Sequence, residues 1–175
     1  MRKFILLLIF FPLAAFPQKD SLPKNGDGLY EYTEVVNVDS ISADKLYSNA
    51  RLFVVKAFKS GKEVIQLNDD VSKTFAGSGT IPIVFRGLGG MGGSDFVKFK
   101  FFIQAKDSRY KYSITNFEVS APPRSAIALE SEKMKRAYTK NMNKQIIEQV
   151  SFSMEKFIED MKKNMASQTR ETKDW

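Results

Sequence analysis

The chain of 175 residues contains no histidine and no cysteine. The absence of cysteine excludes disulfides, thiol nucleophiles, thiolate metal sites and an N-terminal cysteine that could carry a lipid. The absence of histidine excludes Ser-His-Asp catalysis, imidazole acid–base chemistry near neutral pH and almost every kind of zinc site. The remaining residues form no convincing catalytic motif, so the sequence favours a non-enzymatic protein without a cofactor.

The residues that the chain does contain are typical of a folded, basic protein. Hydrophobic residues make up 43% of the chain and aromatic residues 13%, which is typical of a globular protein. Lysine and arginine number 27 against 20 aspartates and glutamates, a formal net charge of +7. The length suits one domain with a single hydrophobic core.

The first 17 residues have the pattern of a secretory signal peptide. Arg2 and Lys3 precede the run Phe4–Phe11, which contains no polar residue, and small residues follow it. The run is too short to span a bilayer, so we expect cleavage at about Ala15 to Pro17. The mature protein is then periplasmic or secreted and, without cysteine, not a lipoprotein. No later stretch predicts a transmembrane segment.

The rest of the chain predicts one domain with a short leader and a short tail. Residues 18–28 are polar and read as a linker, residues 29–166 form the domain, and residues 167–175 are a flexible tail. Four successive strands without long crossovers favour antiparallel pairing. The predicted fold is therefore α+β in two layers, an antiparallel five-stranded sheet with two helices on one face, in the order β-α-β-β-β-β-α.

Residue periodicity places the individual elements. The first helix has an N-cap at Ser40 or Ser42 and a C-cap at Gly61, while Asn68-Asp69-Asp70 predicts a turn. Residues 125–140 fit either a loop or a broken helix. The predicted strands are 29–38, 63–67, 73–85, 95–105 and 110–119, and the predicted helices are 42–59 and 142–165.

Two groups of glycines interrupt this pattern. Gly77 and Gly79 share one face of a predicted strand, where glycine is unfavourable unless another group approaches the backbone closely. A helix lying across the sheet would explain them. The second group lies in Arg86–Ser94 and matches G-x-G-x-x-G, but that motif needs a following helix and here a strand follows. We therefore predict a flexible hairpin loop containing Gly87, Gly89, Gly90, Gly92 and Gly93.

Four cations follow helical spacing before the C-terminal helix. If the region is helical, they line one face and could contact anionic lipid headgroups at about 1 kcal/mol per charge. The alternative is an ordinary solvated helix face. These candidate contacts are Lys133, Arg136, Lys140 and Lys144.

A second basic cluster is interleaved with aromatic residues in the fourth and fifth predicted strands. It resembles an RNA-binding sheet, but the RNP order of residues is absent, and an exported protein rarely meets nucleic acid. We therefore predict no nucleic-acid partner. The excess of positive charge over the whole mature chain could serve binding to anionic lipid, lipopolysaccharide or acidic polysaccharide, or it could serve solubility alone. The cluster consists of Lys98, Lys100, Arg109 and Lys111 with Phe102, Tyr110 and Tyr112.

Paired carboxylates are the remaining route to catalysis. Two carboxyl groups on either side of a glycosidic bond are sufficient for glycoside hydrolysis. Sequence alone leaves open whether such a pair forms in space. The candidates are Glu31, Glu34, Glu63 and Asp95.

Several short segments together resemble a known family. They include the strand ending at Glu34–Val38, the helix start Asp44–Tyr47, the segment Val64–Asp69, the triplet Gly77-Ser78-Gly79 and the hairpin Lys106–Tyr112. In these segments the sequence is similar to the bacterial domain-of-unknown-function family 4468, over about residues 29–120 and loosely in the last helix. The resemblance implies a fold like that of the TATA-binding protein (TBP). It supplies no activity and no catalytic residues, and fold alone does not establish function.

We therefore expect an exported bacterial envelope protein that binds a small ligand or an envelope protein through the open face or the edge of its sheet. Two alternatives remain at this point. One is a surface binder of anionic lipid or lipopolysaccharide that uses the four cations at 133–144, and the other is a hydrolase built on carboxylates.

Overall fold

A computed structural model of the protein describes residues 22–58, 64–87, 92–120 and 125–167. The predicted signal peptide lies outside the described residues. So do Gly61, Glu63, Gly89 and Gly90, and the tail from residue 168 onward.

Six antiparallel strands and three helices make up the described fold. The sheet order is β1-β5-β4-β3-β2, and β6 pairs with the end of β5. This arrangement confirms the predicted α+β class and the predicted order of five strands and two long helices. It adds a short sixth strand and a short helix between the fifth strand and the last helix, so the sheet is not five-stranded as predicted. The strands are β1 (Tyr32–Asn37), β2 (Ile65–Asp69), β3 (Thr74–Arg86), β4 (Gly92–Lys106), β5 (Arg109–Ser120) and β6 (Ile127–Ala128), and the helices are α1 (Ala43–Ala57), α2 (Glu132–Ala137) and α3 (Lys140–Met165).

Along β4, buried and exposed residues alternate as predicted. Along β5, the buried residues change from even-numbered to odd-numbered positions. Tyr112 and Ile114 point into the core, and after a bulge the inward residues are Phe117 and Val119. Asn116 sits at the bulge with φ of 54°, a left-handed conformation that asparagine tolerates. The bulge keeps apolar residues buried along the whole strand.

Helix α1 begins as predicted and ends earlier. The Ser42 Oγ accepts a hydrogen bond from the Lys45 N–H at 3.3 Å, so Ser42 is the N-cap. The C-cap is Phe58 rather than Gly61. Phe58 adopts an extended conformation, and its ring lies 6.4 Å from the ring of Phe99. The helix ends there because Phe58 packs over the sheet.

The glycines of β3 are sites of close approach, which confirms that prediction. A methyl group on Gly79 would lie 2.5 Å from Phe99 Cζ and 2.7 Å from the Phe58 ring. A methyl group on Gly77 would overlap the Val64 carbonyl oxygen and lie 2.7 Å from Phe101 Cζ. The approaching groups are aromatic rings and one backbone carbonyl.

Helix α3 crosses the same face of the sheet. Its 26 residues span about 39 Å. The ring of Phe157 in its second half lies 5.0 Å from Phe53 of α1 and 5.7 Å from Phe99 of β4. Both long helices therefore share one core with one face of the sheet.

Two predicted loops are shorter in the structure. Asn68 and Asp69 belong to β2, because Asn68 pairs with Phe75 and its Oδ1 accepts a 2.7 Å hydrogen bond from the Tyr47 hydroxyl. In the glycine-rich segment, Arg86 pairs with Gly92 and β4 begins there. A methyl group on Gly93 would lie 2.7 Å from the Phe85 ring, so this glycine makes room for an aromatic side chain.

The structure also shows how the predicted linker and the region 125–140 are folded. The predicted linker is folded from Leu22 onward, since Leu22 is buried and Lys24 pairs with Tyr30. The region 125–140 contains β6 and α2, and then a break at Tyr138-Thr139 before α3.

Candidate functional site

The two layers leave the opposite face of the sheet open to solvent. On β4 the inward residues, such as Val97 and Ile103, are buried, whereas the alternate residues Phe96, Lys98 and Lys100 are exposed. We call the exposed cations of this surface the basic face. It consists of Lys98, Lys100 and Lys106 on β4 and Arg109 and Lys111 on β5.

None of the five cations of the basic face forms an ion pair with a described residue. The carboxylate of Glu118 lies opposite Lys98 in register, and Glu31 at the sheet edge accepts a 2.9 Å hydrogen bond from Ser113. Side chains two residues apart on a strand are about 7 Å apart, which is within one Debye length at physiological salt. The positive potentials of neighbouring cations, such as Arg109 and Lys111, therefore add, whereas the Glu118 carboxylate offsets part of the potential at Lys98.

Two of these cations face each other directly. Lys106 and Arg109 are cross-strand partners that flank the two-residue turn Asp107-Ser108. Like charges in directly opposed positions destabilise a sheet, with pair energies of about 0.2–1 kcal/mol. An anion bound beside the two cations would relieve this repulsion.

A groove lies beside this pair. Its volume is about 190 Å³, and its wall includes Val35 of β1 and Gln104, Lys106, Arg109 and Lys111 of the hairpin. Three of these side chains are cationic, so the groove suits a carboxylate, sulfate or phosphate group.

The aromatic residues of the predicted cluster are divided between the two faces. Phe102 is 37% exposed on the basic face, between Ala76 and Ser113 of the neighbouring strands. Tyr110 and Tyr112 point the other way and are buried, and this burial raises the pKa of both hydroxyls. Grouping them with the surface cations was wrong, because consecutive residues of a strand alternate between faces.

Two of the candidate carboxylates, Glu34 and Asp95, lie far apart. Glu34 lies on the helix side of the sheet, where a hydrogen bond from Lys162 at 2.6 Å lowers the pKa of its carboxyl group. Asp95 is buried at the start of β4 and accepts a hydrogen bond from the Tyr138 hydroxyl. The strand register separates Glu34 from Asp95 by about 26 Å, far beyond the spacing of about 5–10 Å that glycosidases use. Glu63 lies outside the described residues.

The predicted helical stripe of cations is interrupted. Lys133 and Arg136 belong to α2, whereas Lys140 and Lys144 belong to α3. The break between them follows from Thr139, whose Oγ1 accepts a 3.3 Å hydrogen bond from the Met142 N–H and starts a new helix. All four side chains are exposed, but they do not line one continuous helix.

The sheet edge at β3 is covered by two glutamines that sequence reasoning missed. The Gln149 side chain accepts from the Val84 N–H at 3.0 Å and donates to the Val84 carbonyl at 2.7 Å. Gln145 makes the same pair of bonds with Arg86, both at 3.0 Å. These amides take the place of a neighbouring strand, so this part of the edge is closed to strand addition. Apolar periodicity carries no signal for such a contact.

The described ranges lack two further features. No described helix has both the length and the apolar character needed to cross a membrane. Residues 22–58, 64–87, 92–120 and 125–167 contain no group of three or more acidic side chains that could hold a metal ion.

Comparison with known proteins identifies the domain. The model of the family "domain of unknown function (DUF4468) with TBP-like fold" matches residues 32–120, just over half of the chain. Among solved structures, a TBP-like protein from Parabacteroides distasonis has a TM-score of 0.65 at 14% identity, with 84% of this chain and 97% of that chain covered. A DUF4468 family protein from Bacteroides ovatus has a TM-score of 0.63 at 17% identity, with 85% and 93% covered.

Among curated proteins, none matches the chain. At these identities the solved structures establish the fold, and the family match covers β1 to β5 together with α1. The chain therefore belongs to the DUF4468 family and has its TBP-like fold.

Proposed function

We propose that this protein is exported to the bacterial envelope and binds an acidic polysaccharide on its basic face. The observation that carries the proposal is the set of five exposed cations without ion-pair partners among the described residues, two of which, Lys106 and Arg109, directly oppose each other. The signal-peptide pattern of residues 1–17 supports export. Outside the cytoplasm, acidic polysaccharides are abundant polyanions that such a surface attracts.

An extended polymer fits this surface better than an isolated anion does. From Lys98 to Lys106 the cations are spread over about 26 Å of strand, so one small anion contacts only part of the set. Phe102 lies between the two groups of cations and offers a flat apolar surface to the C–H groups of a sugar ring. The spacing therefore favours a chain of repeated carboxylates.

The first prediction compares two variants that each lose three charges of identical types. Lys100→Gln/Arg109→Gln/Lys111→Gln removes the centre of the basic face. We expect it to bind polygalacturonate about tenfold more weakly than the unmodified protein, because each exposed contact contributes up to about 1 kcal/mol. Isothermal titration calorimetry at low and at physiological ionic strength measures the affinity and its salt dependence.

The matched control is Lys133→Gln/Arg136→Gln/Lys140→Gln, which also loses two lysines and one arginine. It should bind polygalacturonate within about twofold of the unmodified protein. Equal losses in the two variants would mean that net charge alone drives binding. A larger loss in the control, or tighter binding to vesicles of anionic phospholipid than to polygalacturonate, would contradict the proposal and favour the lipid-binding alternative.

A second prediction separates binding from folding at the opposed pair. Arg109→Glu turns the like-charge pair with Lys106 into an opposite-charge pair. We expect the free energy of unfolding to rise by about 0.5 kcal/mol while polygalacturonate affinity falls. Urea denaturation gives the first quantity and calorimetry the second. A simultaneous loss of stability would show that Arg109 has a structural role.

A further inference from the structure

The groove of the basic face lies at the start of β5, and a second, larger cavity lies near the end of that strand, next to β6. Its volume is about 660 Å³, in the range of small-ligand sites. Three parts of the chain form it: the segment before β1 (Lys24 and Tyr30), the connection from β6 through α2, and the first turns of α3. These parts are distant in sequence.

The wall of this cavity carries charges of both signs. Glu132 and Lys135 neutralise each other through an ion pair of 2.6 Å. Glu130, Lys24 and Lys140 also line the cavity, and none of them forms an ion pair with a described residue. The cavity therefore offers both a carboxylate and ammonium groups to a ligand.

Two oxygen atoms of the lining residues have no hydrogen-bond donor. Glu130 Oε2 and Asn143 Oδ1 are buried, and no group of the described protein donates to either. The amide nitrogen of Asn143 is already used, since it donates to the Tyr138 carbonyl at 3.2 Å. An acceptor buried without a donor is unfavourable, and a ligand with N–H donors would satisfy it.

The remaining wall is apolar. Leu129 and Met134 are buried side chains at this wall, and Ile147 of α3 completes it. A cavity lined by apolar side chains and by charges of both signs is complementary to a zwitterion that has a hydrophobic side chain. The cavity holds Glu130 and Glu132 beside its three lysines, so its chemistry differs from that of the groove on the basic face, whose charged lining residues are all cationic.

We propose that this cavity binds a short peptide with a free amino terminus, a free carboxyl terminus and an apolar side chain. The ammonium group binds at Glu130 and Asn143, the carboxylate is held by Lys24 or Lys140, and the side chain packs on Leu129 and Met134. Charge-assisted hydrogen bonds to both termini distinguish such a peptide from a neutral molecule of the same size.

The test uses three probes that differ only at their termini. Titration calorimetry on the purified protein compares the dipeptide Ala-Leu with N-acetyl-Ala-Leu and with Ala-Leu amide. We expect each blocked peptide to bind at least about tenfold more weakly than Ala-Leu, because each lacks one charged terminus. This comparison needs no variant and therefore does not depend on a substituted protein folding.

A pair of variants then locates the amino-terminal site. Glu130→Gln should weaken Ala-Leu binding about tenfold and leave the already weak binding of N-acetyl-Ala-Leu unchanged. Glu132→Gln is the matched control on the same wall, and it should change the affinity by less than about twofold because Glu132 is paired with Lys135. No binding of Ala-Leu at millimolar concentration, equal binding of free and acetylated peptide, or equal effects of the two variants would overturn the proposal.

Discussion

Replacing Phe99 with alanine is expected to lower the free energy of unfolding by about 3–5 kcal/mol. Phe99 is 1% exposed, and its ring lies 6.4 Å from Phe58, 6.2 Å from Phe117 and 5.7 Å from Phe157. Those rings come from the end of α1, from β5 and from α3, so the substitution leaves a cavity where both layers meet. Urea denaturation followed by circular dichroism measures the loss.

Phe96→Ala is the matched control for this substitution. Phe96 lies on the same strand, points to the opposite face and is 54% exposed. We expect it to cost about 1 kcal/mol or less, since it loses only cross-strand contacts. If both substitutions cost the same, the aromatic cluster under the helices is not the centre of the core.

The second large effect is expected at Gly77. A methyl group there would overlap the backbone carbonyl of Val64, and it would lie 2.7 Å from Phe101 Cζ. Because a backbone group cannot rotate away as a side chain does, Gly77→Ala should lower the free energy of unfolding by about 2–3 kcal/mol. The same denaturation experiment measures it.

Gly92→Ala provides the comparison, because Gly92 also lies in a strand but has room for a side chain. Its added methyl group would meet its nearest contact, the Phe85 carbonyl oxygen, at 3.4 Å. Removing a strand glycine there should be neutral or stabilising by up to about 1 kcal/mol. A loss at Gly77 no larger than the change at Gly92 would mean that the segment carrying Val64 moves without cost.

Some of the candidate site could be derived from local sequence. Strand alternation alone assigns Lys98 and Lys100 to the face opposite Phe99, and it also separates Lys111 from Tyr112. A tight turn after Lys106 likewise brings it opposite Arg109. The pairing of these two cations was therefore accessible from the predicted hairpin.

Other features depend on residues that are distant in the chain. The cavity proposed to bind a peptide is lined by Lys24, Glu130 and Asn143, and no short-range pattern relates these residues. The same holds for Gln145 and Gln149. The amphipathic pattern of the helix assigns both residues to its polar side but does not predict their hydrogen bonds to the edge of β3. The separation of Glu34 from Asp95 also follows from strand order and register, not from the identity of the residues.

Local patterning was sufficient for the order of elements, the α+β class and the inward residues of β4, because periods of two and of about three and a half residues depend only on neighbours in the chain. The end of α1 and the bulge at Asn116 could be located only in the tertiary structure. Both depend on how aromatic rings, such as those of Phe58 and Phe101, pack across the sheet. Both proposed binding surfaces also depend on the tertiary structure. Their charges are visible in the sequence, but only folding decides which of those charges find an intramolecular partner and which remain for a ligand.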